Sequence, residues 1–239
     1  MIITGIDIGS LSTKVVIMDG EQNVLSYDVL RTNGSSRGAA ETAFQNALGK
    51  AGLTRDQVDY ILTTGYGRNS IPFADDEVSE ITAHAKGAHF LFPETKTILD
   101  IGGQDSKAIK LEDDGQISDF VMNDKCAAGT GRFLEVMAQA LGLTLEELSD
   151  FSQLSSTPTV ISSFCAVFAE SEVVSLVGEG REKEDIARGI HEAIVSRTLT
   201  LLNRVKMSGS ITMTGGVAKN KVPSGCSKER LQSPKIYLP

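Results

Sequence analysis

A loop signature that can bind phosphate occurs twice in this chain of 239 residues. Residues 2–14 read IITGIDIGSLSTK and residues 97–107 read TILDIGGQDSK, so each copy is an apolar run with an aspartate, a glycine turn and a lysine. Glycine lets the backbone turn sharply and approach a ligand closely, and the freed N–H groups form a nest for phosphate oxygens. One copy alone is typical of a tight β-turn. Two copies in the same order favour a pair of phosphate-binding loops.

The two loops carry side chains suited to a magnesium–nucleotide complex. A carboxylate repels phosphate, so Asp7 and Asp100 are predicted to hold Mg²⁺, mostly through its waters. Gln104 or Asp105 could orient the attacking water, although Gln104 could equally bond within its own turn. The residues predicted to contact the phosphates supply backbone N–H groups, hydroxyls and one positive charge: Gly9, Ser10, Leu11, Ser12, Thr13, Lys14, Gly102 and Gly103.

A third glycine loop follows a β-branched run late in the chain, where residues 211–220 read ITMTGGVAKN. Gly215 and Gly216 would let a flat adenine or ribose lie against bare backbone, with Lys219 one helical turn further on. The order of two phosphate loops and a late Gly-Gly loop resembles the actin, sugar-kinase and Hsp70 ATPase superfamily, and the GxxxxGK[ST] motif is absent. The resemblance implies an α/β fold of two actin-like (ribonuclease H-like) lobes, residues 1–95 and 96–239. The nucleotide is expected in a cleft between them, and a five-stranded sheet is expected in each.

Composition excludes several classes of protein. The hydrophobic fraction is 41%, yet no apolar run approaches the length of about 18 residues that a membrane span needs. The net charge of −8, dispersed basic residues and the absence of Trp argue against nucleic acid as a partner. The N-terminus enters a strand directly, so no secretory leader is expected and the predicted location is cytoplasmic. Three cysteines in such a chain do not form a disulfide framework.

Two of the cysteines lie in unusual settings. Cys126 in DKCAAGTGRF and Cys165 in SSFCAVFAE each stand before or at a predicted helix N-terminus, where the helix dipole favours a thiolate. Their wide separation does not match zinc fingers or ferredoxins. One chain supplies two soft ligands where such metal sites need four, and a two-fold homodimer would supply four. Inert, buried thiols stay an alternative.

The cysteine segments also carry a specific resemblance. MNDKCAAGTGRFLEVMA, SSFCAVFAESEVVS, TGYGRNS and MTGGVAKN are similar to the activators of 2-hydroxyacyl-CoA dehydratases, which are related to the ATPase subunits of benzoyl-CoA reductase. The resemblance implies a homodimer that shares one [4Fe–4S] cluster through Cys126 and Cys165 of each subunit. It further implies that ATP hydrolysis drives a low-potential electron into a 2-hydroxyacyl-CoA dehydratase, with ferredoxin or flavodoxin as the electron donor.

The tail departs from this family and leaves alternatives open. Family members continue after the Gly-Gly loop through a helix, a strand and a closing helix, whereas residues 222–239 lack that closing helix and Cys226 matches no family ligand. The C-terminal lobe is therefore expected to be incomplete. A sugar-type kinase with Asp100 or Asp105 as base, and a non-enzymatic nucleotide-gated regulator with inert cysteines, stay open as other functions.

Periodicity predicts the remaining elements and mostly structural roles for other polar residues. His84 and His89 are five residues apart on one predicted helix, which argues against a shared metal, and His191 is expected at the surface. Glu170 and Glu172 are expected to interact with a helix dipole or with solvent. The predicted strands are 2–8, 14–19, 24–30, 58–63, 97–101, 107–111, 159–164 and 211–214. The predicted helices are 39–51, 84–92, 132–141, one starting at Thr144, one starting at Cys165, and 186–205.

Overall fold

The computed structural model describes residues 1–32, 34–163, 165–220 and 236–237. The chain divides into two compact units, Met1–Ala83 and His84–Pro239. Each unit contains a five-stranded sheet, as predicted. Within the described ranges, no helix combines the length and the apolar character that crossing a membrane requires.

The first unit is built on an antiparallel meander. Asp19 begins the turn between its second and third strands, accepting from the backbone N–H of Gln22 and Asn23 and from the Asn23 side chain. One helix begins after Ser35, whose side chain caps it, and packs Phe44 and neighbouring alanines against the sheet. The elements are β1 (Ile2–Ile8), β2 (Ser12–Asp19), β3 (Val24–Arg31), α1 (Ser36–Ala51), β4 (Tyr60–Thr64) and β5 (Asp76–Glu77), and the sheet order is β3-β2-β1-β4-β5.

The second unit repeats this arrangement and adds helices. The elements are α2 (Glu80–Leu91, which begins in the first unit), β6 (Thr95–Ile101), β7 (Ser106–Leu111), β8 (Ile117–Asn123), α3 (Gly131–Leu141), α4 (Leu145–Leu154), α5 (Ala166–Gly178), α6 (Lys183–Arg204), β9 (Ser210–Thr214) and β10 (Ile236–Tyr237). The sheet order is β10-β9-β6-β7-β8, with a meander followed by strands parallel to the first. The helices α3 and α6 bury apolar residues in one core that includes Phe133 and Ile190.

The structure corrects two of the local predictions. Residues 159–163 form no strand, because their backbone N–H groups bond elsewhere: Thr159 donates to the Asp185 carbonyl, and Ser162 and Ser163 donate to the Glu172 carboxylate. The strand β8, which pairs with β7 after the predicted turn at residues 113–115, was not predicted. The other predicted strands and helices are confirmed, with ends shifted by a few residues. The altered tail falls mainly on residues 221–235, outside the described residues, so the incomplete C-terminal lobe stays a prediction.

His191 was expected at the surface, and this prediction is wrong. Its side chain on α6 is fully buried. The Nδ1 atom lies 2.8 Å from the Ala187 carbonyl oxygen, which makes Nδ1 the donor, so Nε2 accepts from the Asn220 amide at 3.2 Å. Burial lowers the pKa of His191 to about 4. A polar residue can be buried when both of its ring nitrogens are bonded.

The buried histidine predicts a pH-dependent stability. Between its ordinary pKa of 6.5 and its folded pKa of about 4 the unfolded chain binds more protons, so stability falls as the pH drops through this range. By linkage, the His191 contribution to the unfolding free energy decreases by about 2 kcal/mol between about pH 7.5 and 5. Urea unfolding at both pH values should show this loss in the wild type and not in His191→Gln. An equal loss in both proteins would contradict the assignment.

Candidate functional site

The first phosphate loop connects β1 to β2 by a turn that only glycine can make. The Gly9 N–H donates to the Ser12 carbonyl at 3.1 Å, and a methyl group at Gly9 would lie 2.8 Å from that same oxygen. The Lys14 Nζ lies 2.8 Å from Asp7 Oδ2, and the two side chains are directly opposite in the antiparallel register. The Asp7 carboxylate keeps a side-chain exposure of 32%, so one face of it is open to a ligand.

The second phosphate loop has the same construction between β6 and β7. The Gly102 N–H donates to the Asp105 carbonyl at 2.9 Å, and a methyl group at Gly102 would collide with the Asp105 side chain. Asp100 stands opposite Lys107 in the antiparallel register, as Asp7 stands opposite Lys14. The repeated sequence signature therefore corresponds to a repeated loop geometry.

A further repeat escaped the sequence analysis, because its two copies share only Thr-Gly. Asp7 pairs in parallel register with Thr64, and Asp100 pairs in the same way with Thr214. The glycine after each threonine has a positive φ, 86° at residue 65 and 83° at residue 215. A methyl group on either glycine would press against the carboxylate of the matching aspartate, at 2.6 Å and 2.8 Å from Oδ1. These two glycines allow the backbone to lie against the candidate metal-holding carboxylates.

Asp100 is the centre of a buried polar cluster. Its exposure is 2%, and Oδ1 accepts from the Thr214 hydroxyl at 2.8 Å. Oδ2 lies 3.4 Å from Lys107 Nζ and 3.6 Å from His84 Nε2. Burial alone would raise the pKa of Asp100, but the charges of His84 and Lys107 and the hydrogen bond from Thr214 hold it below its ordinary value. The carboxylate is therefore kept ionised, as a ligand for a divalent cation must be.

His84 is a member of this cluster that the sequence analysis did not identify. Its Nδ1 lies 3.3 Å from the Thr214 hydroxyl while Nε2 faces Asp100. His89, which sits on the same helix, lies against Gly115 at the β7–β8 turn instead. No sequence signal pointed to His84, because its partners are contributed by strands far along the chain.

The other candidate residues of the loops occupy different environments. Asp105 is buried and its carboxylate lies 2.6 Å from Lys107 Nζ, whereas Gln104 is exposed.

In the first loop, Thr13 is fully buried. Its hydroxyl lies 2.9 Å from the hydroxyl of Thr32, and the Thr32 hydroxyl donates to the Gly9 carbonyl. The rest of the first loop is accessible to solvent. Its residues are the partly exposed Ser10, Leu11 and Ser12 and the half-exposed Lys14.

The late Gly-Gly loop begins at the end of β9. Gly215 leads into a short 3₁₀ turn, Gly216–Lys219, and Gly216 is exposed with open space where a side chain would be. Lys219 is exposed as well, and Asn220 is held to the buried His191. The loop thus offers bare backbone on its outer side, as the sequence predicted for an adenosine site.

Cys126 and Cys165 are both exposed free thiols. Cys165 is the N-cap residue of α5, as predicted. Cys126 lies in the loop before α3, where the Asn123 amide donates to the carbonyls of Cys126 and Ala128, at 2.9 and 3.1 Å. Glu172 was expected to interact with the helix dipole of α5 or with solvent. It lies in the second turn of α5 instead, and its carboxylate accepts hydrogen bonds from Ser162 and Ser163.

Backbone hydrogen bonds join the Cys126 loop to the second phosphate loop. The N–H groups of Gly131 and Arg132, at the start of α3, donate to the carbonyls of Gly102 and Gly103, both at 2.8 Å. A methyl group at Gly131 would lie 3.2 Å from the Gly102 oxygen, so the two segments pack without a side chain between them. We call this pair of bonds the loop latch.

The donor sets decide which metal groups these residues fit. Across the described ranges, no three or more His, Cys, Asp or Glu side chains cluster as a metal site. The two soft thiols of one chain would supply half of the four thiolates that an iron–sulfur cluster takes. Hard carboxylate oxygens at Asp7 and Asp100 suit Mg²⁺. At Asp7, the Thr64 hydroxyl is buried and has no hydrogen-bond partner among the described residues, which leaves it available to a metal-bound water.

Residues 4–236 match the model of the BadF/BadG/BcrA/BcrD ATPase family. The activator of lactoyl-CoA dehydratase from Anaerotignum propionicum is 46% identical over 216 residues, which cover 90% of this chain and 83% of that protein. Both comparisons agree with the resemblance found in the cysteine and glycine segments.

Two solved structures share the fold throughout the chain. Component A of (R)-2-hydroxyglutaryl-CoA dehydratase from Acidaminococcus fermentans matches with a TM-score of 0.95 and 39% identity, covering 100% of this chain and 92% of that one. The activator of the 2-hydroxyisocaproyl-CoA dehydratase from Clostridium difficile, solved with bound ADPNP, matches with a TM-score of 0.93 and 39% identity, covering 100% and 88%. The predicted actin-like α/β fold is confirmed by these likenesses and by the two matching sheets.

Proposed function

The chain belongs to the BadF/BadG/BcrA/BcrD ATPase family, and from this premise we propose that it is an ATP-driven activator of a 2-hydroxyacyl-CoA dehydratase. In this proposal a homodimer with one shared [4Fe–4S] cluster hydrolyses ATP and delivers a low-potential electron to the dehydratase. Ferredoxin or flavodoxin supplies the electron. The names of the relatives support the ATPase and the dehydratase partner, and the exposed thiols support the cluster.

The two phosphate loops bind the triphosphate through their backbone N–H groups and the loop hydroxyls. Asp7 and Asp100 would hold Mg²⁺, and the cation would neutralise charge on the phosphate oxygens. Gln104, which is exposed on the second loop, orients the attacking water better than Asp105, because the Asp105 carboxylate is engaged by Lys107. The Gly215–Gly216 backbone lies against the adenosine, and the exposed Lys219 stands beside it. The ADPNP in the related activator supports nucleotide binding.

The cluster is held by Cys126 and Cys165 of two chains. Soft thiolates are the ligands that iron–sulfur clusters use, and a two-fold axis turns two ligands into four. Apolar side chains on α5 beside Cys165 support a second copy as the neighbour: Val167 is 66% exposed, Phe168 68% and Val174 57%. Such a group of exposed apolar residues on a helix next to exposed thiols suits an interface.

The loop latch is the observation that carries the proposed coupling. A change at Gly102 and Gly103 on nucleotide exchange is transmitted through two backbone hydrogen bonds to Gly131 and Arg132, a few residues after Cys126. Nucleotide can shift the thiols and the cluster only by its differential affinity for two arrangements of this segment. The kinase alternative has no use for such a connection.

Anaerobic reconstitution with iron and sulfide tests the proposal. We expect a brown protein with about four iron atoms per dimer. Potentiometry should then give different midpoint potentials with ADP and with a non-hydrolysable ATP analogue, since solvent exposure and hydrogen bonding to sulfur both affect the potential. In Gly131→Ala the difference should shrink, because the added methyl group displaces the latch.

Gly87→Ala is the matched control, because Gly87 is helical and a methyl group there meets nothing within 4 Å. It should retain the full potential difference. A colourless protein that phosphorylates a small-molecule hydroxyl would favour the kinase instead. Equal potentials with both nucleotides, or an undiminished difference in Gly131→Ala, would refute the coupling through the latch.

A further inference from the structure

The segment before Cys165 is held by charged side chains rather than by a sheet. Glu172 Oε1 accepts from the Ser162 N–H at 2.9 Å and from the Ser162 hydroxyl at 2.8 Å, and Oε2 accepts from the Ser163 N–H at 2.9 Å. On the opposite side, Arg197 Nη2 donates to the Ser163 carbonyl at 2.6 Å. Glu172 and Arg197 come from α5 and α6, so two helices hold the Ser162–Ser163 backbone.

The bonds at Glu172 are of the strong, charge-assisted kind. Burial of the carboxylate would raise its pKa, but the backbone and hydroxyl donors of Ser162 and Ser163 outweigh this effect and lower the pKa of Glu172 to about 2. The carboxylate is therefore ionised at neutral pH and accepts three hydrogen bonds at once. An amide at this position would lose one acceptor oxygen and present an N–H to another donor.

Arg197 also contacts the loop that carries Cys126. Its guanidinium carbon lies 4.8 Å from the centroid of the Phe133 ring on α3. A methyl group at Gly129, three residues after Cys126, would lie 3.3 Å from Arg197 Cβ. Arg197 thus connects both thiol-bearing segments.

We propose that Glu172 and Arg197 form a charged clamp that positions the Cys165 thiol relative to Cys126. The role of the clamp toward a shared cluster rests on the proposed function. The clamp itself rests only on the contacts of residues 162, 163, 172 and 197. Both are positioning residues, because they act through the Ser162–Ser163 backbone and the Gly129 loop.

The backbone of Cys165 lies outside the regular geometry of α5. Cys165 is the N-cap residue, with extended φ and ψ of −83° and 135°. Without Glu172, two backbone N–H groups and one hydroxyl lose their acceptor, and without Arg197 the Ser163 carbonyl loses its donor. Residues that orient metal ligands in this way typically change metal affinity by about 10–100-fold when mutated.

The test compares Glu172→Gln with Glu170→Gln, and Arg197→Gln with Arg188→Gln. Glu170 is exposed two residues earlier on α5, and Arg188 lies on α6 in an ion pair with Glu192. The first readout is hydrogen exchange of the Ser162 and Ser163 amides in the iron-free protein. We expect at least about tenfold faster exchange in Glu172→Gln, because the amides lose part of their acceptor. Glu170→Gln should match the wild type.

The second readout is iron loss from the reconstituted dimer under a chelator. Glu172→Gln and Arg197→Gln should lose iron about tenfold faster than their controls, and Arg197→Lys, which keeps one donor, should lie between. Far-UV circular dichroism on each variant separates this effect from unfolding, and Arg197→Lys serves as the milder variant if Arg197→Gln does not fold.

If the Ser162 and Ser163 amides of Glu172→Gln exchange hydrogen at the wild-type rate, the clamp is overturned. Faster exchange with unchanged iron loss in all clamp variants would overturn its role in positioning the thiols. A wild-type dimer that takes up no iron would overturn the proposed function, and with it the role toward a cluster. Hydrogen exchange in the iron-free protein would still decide whether the clamp exists. Failure of the clamp and failure of the proposed function are therefore distinguishable.

Discussion

Asp100→Asn is expected to reduce Mg²⁺-dependent ATP hydrolysis by about 100-fold or more, the range found when one preorganised charge-stabilising group is removed. The Asp100 carboxylate is 2% exposed and kept ionised by His84, Lys107 and Thr214. An amide has nearly the same shape but carries no charge for a metal or its waters. Steady-state hydrolysis at saturating and at limiting Mg²⁺ is the measurement.

The variant should stay folded, because Lys107 retains its shorter contact to Asp105 at 2.6 Å. Asp119→Asn is the matched control, since Asp119 is exposed on β8 of the same sheet and should leave hydrolysis unchanged. A thermal melt on both variants excludes a folding defect. Hydrolysis by Asp100→Asn at a near-normal rate would remove Asp100 from the site.

Cys126→Ser and Cys165→Ser should each lower the iron content after reconstitution to less than about one tenth of the wild type. In a two-fold dimer one substitution removes two of four ligands, and a serine oxygen is a harder and poorer ligand for such a cluster than a thiolate. Both thiols are exposed, so the exchange of sulfur for oxygen leaves the core intact. Iron analysis and the visible absorption of the anaerobic protein measure the loss.

Cys226→Ser provides the control, because Cys226 matches no ligand of the family that the cysteine segments resemble. It should retain the full iron content. If Cys126→Ser and Cys165→Ser both bind as much iron as the wild type, the electron-donor function fails and the kinase becomes the better hypothesis.

The sequence by itself determined the local features of the site. Each phosphate loop is closed by a hydrogen bond between residues three apart, Gly9 to Ser12 and Gly102 to Asp105. This turn requires a glycine at one position and a strand on either side of it. All of these features lie within a short stretch of sequence, so a local pattern predicts them. The repeat of this signature indicated two similar lobes, and the resemblance to the actin-like superfamily added the five-stranded sheet in each. The helix start at Cys165 was also readable from adjacent residues.

Tertiary structure alone decided which distant side chains complete the site. His84 and Thr214 meet Asp100 from positions 16 residues before and 114 residues after it, and Arg197 meets Ser163 across 34 residues. These contacts depend on how helices pack on the second sheet, which no local pattern encodes. His191 shows the same limit: polarity placed it outside, but two hydrogen bonds satisfied its ring and allowed burial. Residues 159–163 form no strand, because the Asp185 carbonyl and the Glu172 and Arg197 side chains, rather than a neighbouring strand, bind their backbone groups.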